Sequence, residues 1–306
     1  MLSEKTSVLI ISYNRPHDVL ELLQSLSTQA DLSLLEETLI LNNASTESYE
    51  AVEVFISQHP ELKVRYEHSK ENLGVSRGRN KLMQEAKGTH LLVLDDDIVF
   101  DSPTDFANIA STPLDVYYQE NNTAVITFRV LYHANRQPQI TAFPHKQYEA
   151  KKDEQRFLTY YFTGCCHLLR KSALGKTGLY PTDFFYGMEE YDLSYRLIQH
   201  GYTLAYDNRI TVLHKESPLG RQPNYKKLAS QWVNKSKVAW RYLPVRYFVS
   251  TAAMWSLQYL KKAITHPGEF FSAWWRIVKI PFTEKRSKLN KTALQYLKRV
   301  NARLGY

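Results

Sequence analysis

The sequence predicts an α/β fold: a mostly parallel sheet flanked by helices, with a C-terminal helical extension. Three observations predict it. Short β-rich apolar runs alternate with segments of helical periodicity over roughly the first hundred residues. The strand candidates are continuously apolar, as in strands covered on both faces. Each apolar run stops at a polar cluster, which is where open α/β sheets gather their ligands.

In order, SVLIISYN (7–14) is the first strand candidate. RPHDVLELLQSLSTQ follows, with Val19, Leu22, Leu23 and Leu26 on one helical face and Pro16 suited to a first turn. ETLILNNAST (37–46) repeats the plan, and YEAVEVFISQ is helix-like. KVRYEHS is a third strand, and GVSRGRNKLMQEAKG a third helix with Gly88 as its stop. THLLVLDDDIVF (89–100) then runs four apolar residues into Asp95, Asp96 and Asp97. Three adjacent carboxylates gain nothing from a core, so they mark the mouth of a cleft.

From about 100 to 165 the alternation is lost. NTAVITFRVLY reads as a strand, HANRQPQITAFPHKQYEAKKDEQ as a polar loop, and YYFTGCCHLLRKSALGKTG as a strand and the start of a helix. FFYGMEEYDLSYRLIQHGY places Glu189, Glu190 and Asp192 at a helix N-terminus, where the dipole favours carboxylates. Its apolar face continues through Leu193, Leu197 and Ile198 to a stop at Gly201. TLAYDNRITVLHKES is a last strand that delivers His214, and no internal repeat is present.

At 306 residues, the chain accommodates one large core or a main domain with a smaller one. A hydrophobic content of 43% with 23% charged residues excludes a disordered chain. The net charge of +8 is unevenly placed. Residues 221–306 hold 18 of the 39 Lys and Arg but two of the 31 acids, Glu269 and Glu284, so they carry about +16 against about −8 for residues 1–220. All five Trp also fall there. A division into 1–220 and 221–306 is therefore expected. FFSAWWRIVKIPF and VRYFVSTAAMWSLQYLKK read as amphipathic helices with basic flanks, suited to the plane of an anionic membrane or to packing on the core. Basic and aromatic residues also suit nucleic acid. The longest nearly uncharged apolar stretch, 247–260, is too short to span a bilayer. MLSEKTSVLIISYN has no positive region before a long apolar one, so no secretory signal is expected. The two cysteines, Cys165 and Cys166, are adjacent and lack zinc spacing, which points to a reducing compartment.

SVLIISYNRPHDVLELLQSL, LILNNAST, NLGVSRGRN, LLVLDDD and FFYGMEEYDLSYRLIQHGY stand in the order and spacing of glycosyltransferase family 2, which the chain resembles over roughly 6–216. The resemblance implies the GT-A fold, with its Rossmann-like sheet, and inverting transfer from a nucleotide-sugar. It implies that Ser12, Tyr13, Asn14 and Arg15 border the base and ribose, and that Arg79 lies near the base or phosphates. Asn42 takes the position of an aspartate that reads the base. Asp95, with Asp96 beside it, would lie near the ribose, and Asp97 on a metal, Mn2+ or Mg2+, with His214 as a further ligand. Glu190 falls at the catalytic base, with Asp192 in reserve.

Asn42 is neutral where an acid is usual, so its amide oxygen accepts without charge assistance, which leaves UDP-, dTDP- and GDP-linked donors open. Glu190 in place of aspartate lengthens the base by one methylene. Each group also has a plainer reading: a solvated turn at the acid triplet, a helix N-terminal charge pair at Glu189 and Glu190, a structural His214, a surface ion pair for Arg79, an Asp192–Arg196 pair at helical spacing, and core filler for Cys165 and Cys166. The polar loop at 133–155 is suited to line the acceptor. The likeness favours a glycan or lipid-linked acceptor and a place at the cytoplasmic face of the cell membrane, in surface polysaccharide synthesis, over a nucleic-acid partner. Two rivals stand beside it. A sugar nucleotidyltransferase needs a Gly-rich phosphate loop after its first strand, and SYNRPHD has no glycine. A non-catalytic nucleotide-sugar-binding or scaffold protein of the same fold has no such requirement.

Overall fold

The computed structural model describes residues 4–220 and 222–305. Its strands β1 (Thr6–Ser12), β2 (Leu35–Asn42), β3 (Val64–His68) and β4 (His90–Asp95) are mutually parallel and lie in the order β3-β2-β1-β4. Beyond β4 come β8 (Cys166–Arg170), antiparallel to it, then β6 (Thr123–Tyr132) and β9 (Thr203–His214), parallel to each other. β5 (Ile98–Phe100) and β7 (Arg156–Thr159) both pair antiparallel with β9. Six of the nine described strands, β1 to β4, β6 and β9, therefore run one way.

Alternate residues of each central strand serve opposite cores. Val8 and Ile10 of β1, with Leu92 and Leu94 of β4, share a core with Val19, Leu22, Leu23 and Leu26 of α1 (Pro16–Ser27) and Val52 of α2 (Glu50–Gln58). Leu9, Leu91 and Val93 face the other way, toward Leu82 and Met83 of α3 (Gly74–Glu85), Ala173 and Leu174 of α7 (Lys171–Thr177) and Leu193 and Leu197 of α8 (Glu189–Gln199). Burial on both faces is why these strands read as unbroken apolar runs. Each fully buried Leu adds roughly 1.5–3 kcal/mol.

Register brings the strand ends into line: Ser12 lies beside Asn42, Asn42 beside His68, and Ile11 beside Asp95. Asp96 and Asp97 form the turn from β4 into β5, and β9 ends at His214 against Ile98.

Two expectations need revising. The third helix ends at Glu85, and Gly88 lies beyond it. A Cβ on Gly88 would lie 2.6 Å from the Ser7 backbone nitrogen, so close packing on β1 requires glycine there. The stretch from 100 to 165 is also more regular than its sequence suggests: it holds α4 (Asp105–Ser111), α5 (Val116–Glu120), α6 (Tyr148–Lys151) and β7. These elements are too short to give a clear period.

The C-terminal helices serve two cores. α9 (Asn224–Tyr242), α10 (Val245–Ala263) and α11 (Pro267–Thr283) pack around Trp232, Trp255, Tyr259 and Ile277. The end of α9 and α12 (Lys291–Arg299) instead send Tyr242, Leu243, Leu297 and Val300 into the core shared with α8. Among the described residues no helix is long and apolar enough to cross a membrane.

Candidate active site

The aligned strand ends form the floor of a cleft of about 460 Å3. Ser12, Tyr13, Arg15, Asp95, Asp96, Asp97 and His214 line it. Lining residues that the sequence did not single out include Asn43, Phe185 and Tyr186, and also Gln222 and Lys227 from the basic region.

Each carboxylate of the acid triplet has its own cation. Arg79 Nη2 donates to Asp95 at 2.7 Å, Arg15 Nη1 to Asp96 at 2.8 Å, and His214 Nε2 lies 3.1 Å from Asp97. Two like charges about 4 Å apart repel by about 4 kcal/mol at an effective dielectric of 20, and an opposite charge at similar range offsets that. Burial pushes the Asp96 carboxyl up to about 7 against the pull of Arg15. Burial raises Asp97 too, but the His214 hydrogen bond and charge, with Arg15, outweigh it and hold Asp97 below the usual carboxylate range. Burial alone would lower His214; Asp97 carries it above its ordinary value.

Carboxylate oxygens of Asp95 and Asp97 and a ring nitrogen of His214 all lie within 4.8 Å of one another. Two carboxylates and an imidazole in so small a space are a fitting donor set for a divalent cation. Gln139 orients the imidazole: its Nε2 donates to Glu216 at 2.8 Å, so its Oε1 accepts from His214 Nδ1 at 2.8 Å. Nε2 of His214 is thereby turned to the acids. Gln139 lies in the stretch read as a polar loop, and nothing in its sequence context signals this contact.

Arg79 is the second organising group. Only 3% exposed, it reaches Asp95, the Gly164 carbonyl at 2.8 Å and Glu190 Oε1 at 3.2 Å. A side chain on Gly164 would collide with that glutamate oxygen. Burial raises the Glu190 pKa, and Arg79 opposes this only in part. Glu189 is buried beside it, and burial together with Glu190 raises its pKa as well.

Three residues of the expected set are held elsewhere. Asn42 spends its amide on the turn below the cleft, accepting from Ser45 N at 3.0 Å and donating to Tyr66 at 2.8 Å. Its neighbour Asn43 lines the cleft instead. Asn14, at φ 56°, accepts from Thr46 N at 2.8 Å and clamps that same turn. Asp192 departs furthest from the reserve-base role: it accepts from Arg196 at 2.8 Å, Arg241 at 3.0 Å and Tyr242 at 3.0 Å in a buried network that ties α8 to α9. Both its oxygens are committed there, and it lines a different cavity. The cysteines are free and buried.

Known proteins resemble this chain in sequence and in fold. The model of glycosyl transferase family 2 matches residues 7–178. An uncharacterized protein of Haemophilus influenzae (strain ATCC 51907 / DSM 11121 / KW20 / Rd) is 32% identical over 179 residues, which is 57% of this chain and 92% of that protein. The mannosyltransferase PcManGT from Pyrobaculum calidifontis, solved in complex with GDP-Man and Mn2+, superposes with a TM-score of 0.62 at 17% identity, over 96% of this chain and 79% of that one. S. aureus TarS (1-349) gives 0.58 at 14% identity, over 90% and 80%. The structural likenesses establish the GT-A fold. The family match spans more than half of the sequence, and the protein belongs to glycosyl transferase family 2.

Proposed function

We propose that the protein is a metal-dependent inverting glycosyltransferase. It moves a hexosyl or deoxyhexosyl group from a UDP-, dTDP- or GDP-linked donor to a hydroxyl of a glycan or glycolipid, in cell-surface polysaccharide synthesis. Support comes from the Asp95, Asp97 and His214 donor set at the cleft, and from an arginine behind it that joins Asp95 to the half-buried Glu190.

Asp95, Asp97 and His214 would hold Mn2+ or Mg2+, and the imidazole favours Mn2+. Bound there, the cation supplies Lewis acidity for the departing nucleotide diphosphate. Ser12, Tyr13 and Arg15 border the nucleotide, and Asn43 offers the amide that Asn42 has spent. Arg79 fixes Glu190 relative to the donor side of the cleft. Glu190 then takes the proton of an acceptor hydroxyl, which attacks opposite the leaving group and inverts the anomeric carbon.

The exposed apolar surface of α10 and α11 supports a peripheral position at the inner face of the cell membrane. Leu257 is 59% exposed, Phe271 65%, Trp275 55% and Phe282 87%. Lys261, Lys262, Arg276 and Lys279 lie among them in the chain, as in helices that rest in an anionic interface.

Five outcomes are expected. Gln139→Ala, which frees the imidazole to rotate, weakens Mn2+ affinity about 10–100-fold by isothermal titration; unchanged affinity removes Gln139 from this role. Glu190→Gln lowers turnover about 10²–10⁴-fold while nucleotide diphosphate binding persists, whereas equal rates in both would remove Glu190 from the base role. The base must be ionised and its pKa is raised, so kcat/KM in the wild type falls as pH drops through that raised value. Arg79→Gln removes the opposing cation and moves this acid limb to higher pH. Finally, Trp275→Glu with Phe282→Glu cuts sedimentation with phosphatidylglycerol vesicles at least about tenfold. Binding unaffected by these changes would argue against this face.

A further inference from the structure

Glu190 follows a bend at 185–188 in which two successive residues are left-handed, Gly187 at φ 82° and Met188 at φ 72°. A residue with a Cβ rarely adopts that conformation, and one that does is held there by its surroundings. Met188 is also the N-cap of α8, so the bend sets the direction in which the first turn of α8, with Glu190, leaves it. The bend is closely packed: a Cβ on Gly187 would lie 3.0 Å from Gln231 Cγ of α9.

The group that holds the bend is Asn234 of α9. It is 3% exposed, and its Nδ2 donates to the Tyr186 carbonyl at 3.1 Å and to the Gly187 carbonyl at 2.9 Å. An amide nitrogen carries two hydrogens, so both bonds form at once. Two helical turns further along α9, Arg241 donates from Nη2 to Asp183 at 2.7 Å and from Nη1 to Asp192 at 3.0 Å. One helix therefore grips the chain before and after Glu190. On the opposite side, Val75 N at the start of α3 donates to the Phe185 carbonyl at 3.0 Å. Phe185 and Tyr186 line the donor cleft, so the same bend carries part of that wall and leads directly into the base.

Resting on the transferase reading above, we infer that Asn234 is a positioning residue for the transfer, acting on Glu190 through the bend at 185–188. Asn234 does not line the donor cleft and touches no reacting atom. Without its amide, two carbonyls lose a buried donor, and the bend shifts to find others. A displacement of about 1 Å at a catalytic group is enough to cost about 10²-fold in rate. Glu190 faces Arg79 of α3, Asp95 of β4, Tyr180 and its own neighbour Glu189. Arg79 is the cation of this set, and Glu190 Oε1 lies 3.2 Å from it. Drawing Glu190 away from Arg79 removes the pull that opposes burial, so its pKa rises further.

The test compares the full-length wild type with three variants. Asn234→Leu removes both donors and keeps most of the volume, and Asn234→Ala removes them outright. Val233→Ala opens a cavity on the same helix, in the core around Trp232, and leaves the bend bonded. Release of nucleotide diphosphate from UDP-glucose, dTDP-glucose and GDP-mannose with Mn2+ is followed against pH, water standing in for the acceptor. Thermal denaturation and Mn2+ titration are recorded on the same samples. Both Asn234 variants should lower kcat about 10–100-fold, move the acid limb of kcat/KM to higher pH, and bind Mn2+ as wild type does. Val233→Ala should lower Tm and leave the acid limb in place. In an Arg79→Gln background, Asn234→Leu should move the limb no further, because the pair it protects is already gone. An unchanged kcat, a fall in kcat without the limb shift, an equal limb shift in Val233→Ala, or failure of both Asn234 variants to fold assigns Asn234 to stability alone and overturns the inference. A wild type that turns over no donor overturns the transferase reading and this inference with it; an active wild type with unmoved variants overturns the inference alone.

Discussion

Three adjacent carboxylates sit at the end of β4 because each is given its own cation: Arg79 for Asp95, Arg15 for Asp96, His214 for Asp97. The rest of the cleft is arranged around these pairs. Arg15 ties the turn to the 217–219 loop through the Ser217 and Leu219 carbonyls. Arg79 ties it to β8's approach at Gly164 and to α8 at Glu190. His214 ties it, through Gln139, to the loop just before the single 3-10 turn Ile140–Ala142. Removing one partner of a buried ion pair typically costs about 3–5 kcal/mol, so the little-exposed Arg15–Asp96 and His214–Asp97 links hold the strand ends together as well as shaping the cleft.

Left alone, the adjacent carboxylates of Asp95, Asp96 and Asp97 repel one another. In the fold the protein supplies counter-charges of its own. The three acids are also inequivalent: Asp96 is buried with Arg15 and driven toward neutrality, while Asp97 is held ionised by His214. Such a split leaves Asp95 and Asp97 as the carboxylates that face an imidazole, which is the set a hard cation prefers.

The first hundred residues were legible because long strands buried on both faces and α1 with its Val19, Leu22, Leu23 and Leu26 stripe leave strong periodic signals. The acid triplet, Arg15, Glu190 and His214 lie at strand and helix ends, where charged groups are conspicuous, whereas Arg79, in the middle of α3, is picked out by the family resemblance alone. Gln139 could not be: a glutamine in an irregular loop carries no pattern, and its contact with His214 spans 75 positions in the chain. Asn42 and Asn43 are adjacent and chemically identical, so only the backbone decides which faces the cleft. Asp192 looked like Glu190 in sequence, but two positions further along the helix it meets Arg196, Arg241 and Tyr242. The C-terminal region shows the same limit. Its basic and aromatic composition signalled a surface, yet α12 and the end of α9 are built into the main core.

The account stands or falls on whether Asp97 and His214 form a cation site that also holds a diphosphate. Crystals soaked with Mn2+ and a nucleotide diphosphate, measured at the manganese absorption edge, decide this directly. The account predicts an anomalous peak against Asp97 and His214, with diphosphate oxygens completing its coordination. A peak elsewhere, or none there while the nucleotide is bound, would contradict it.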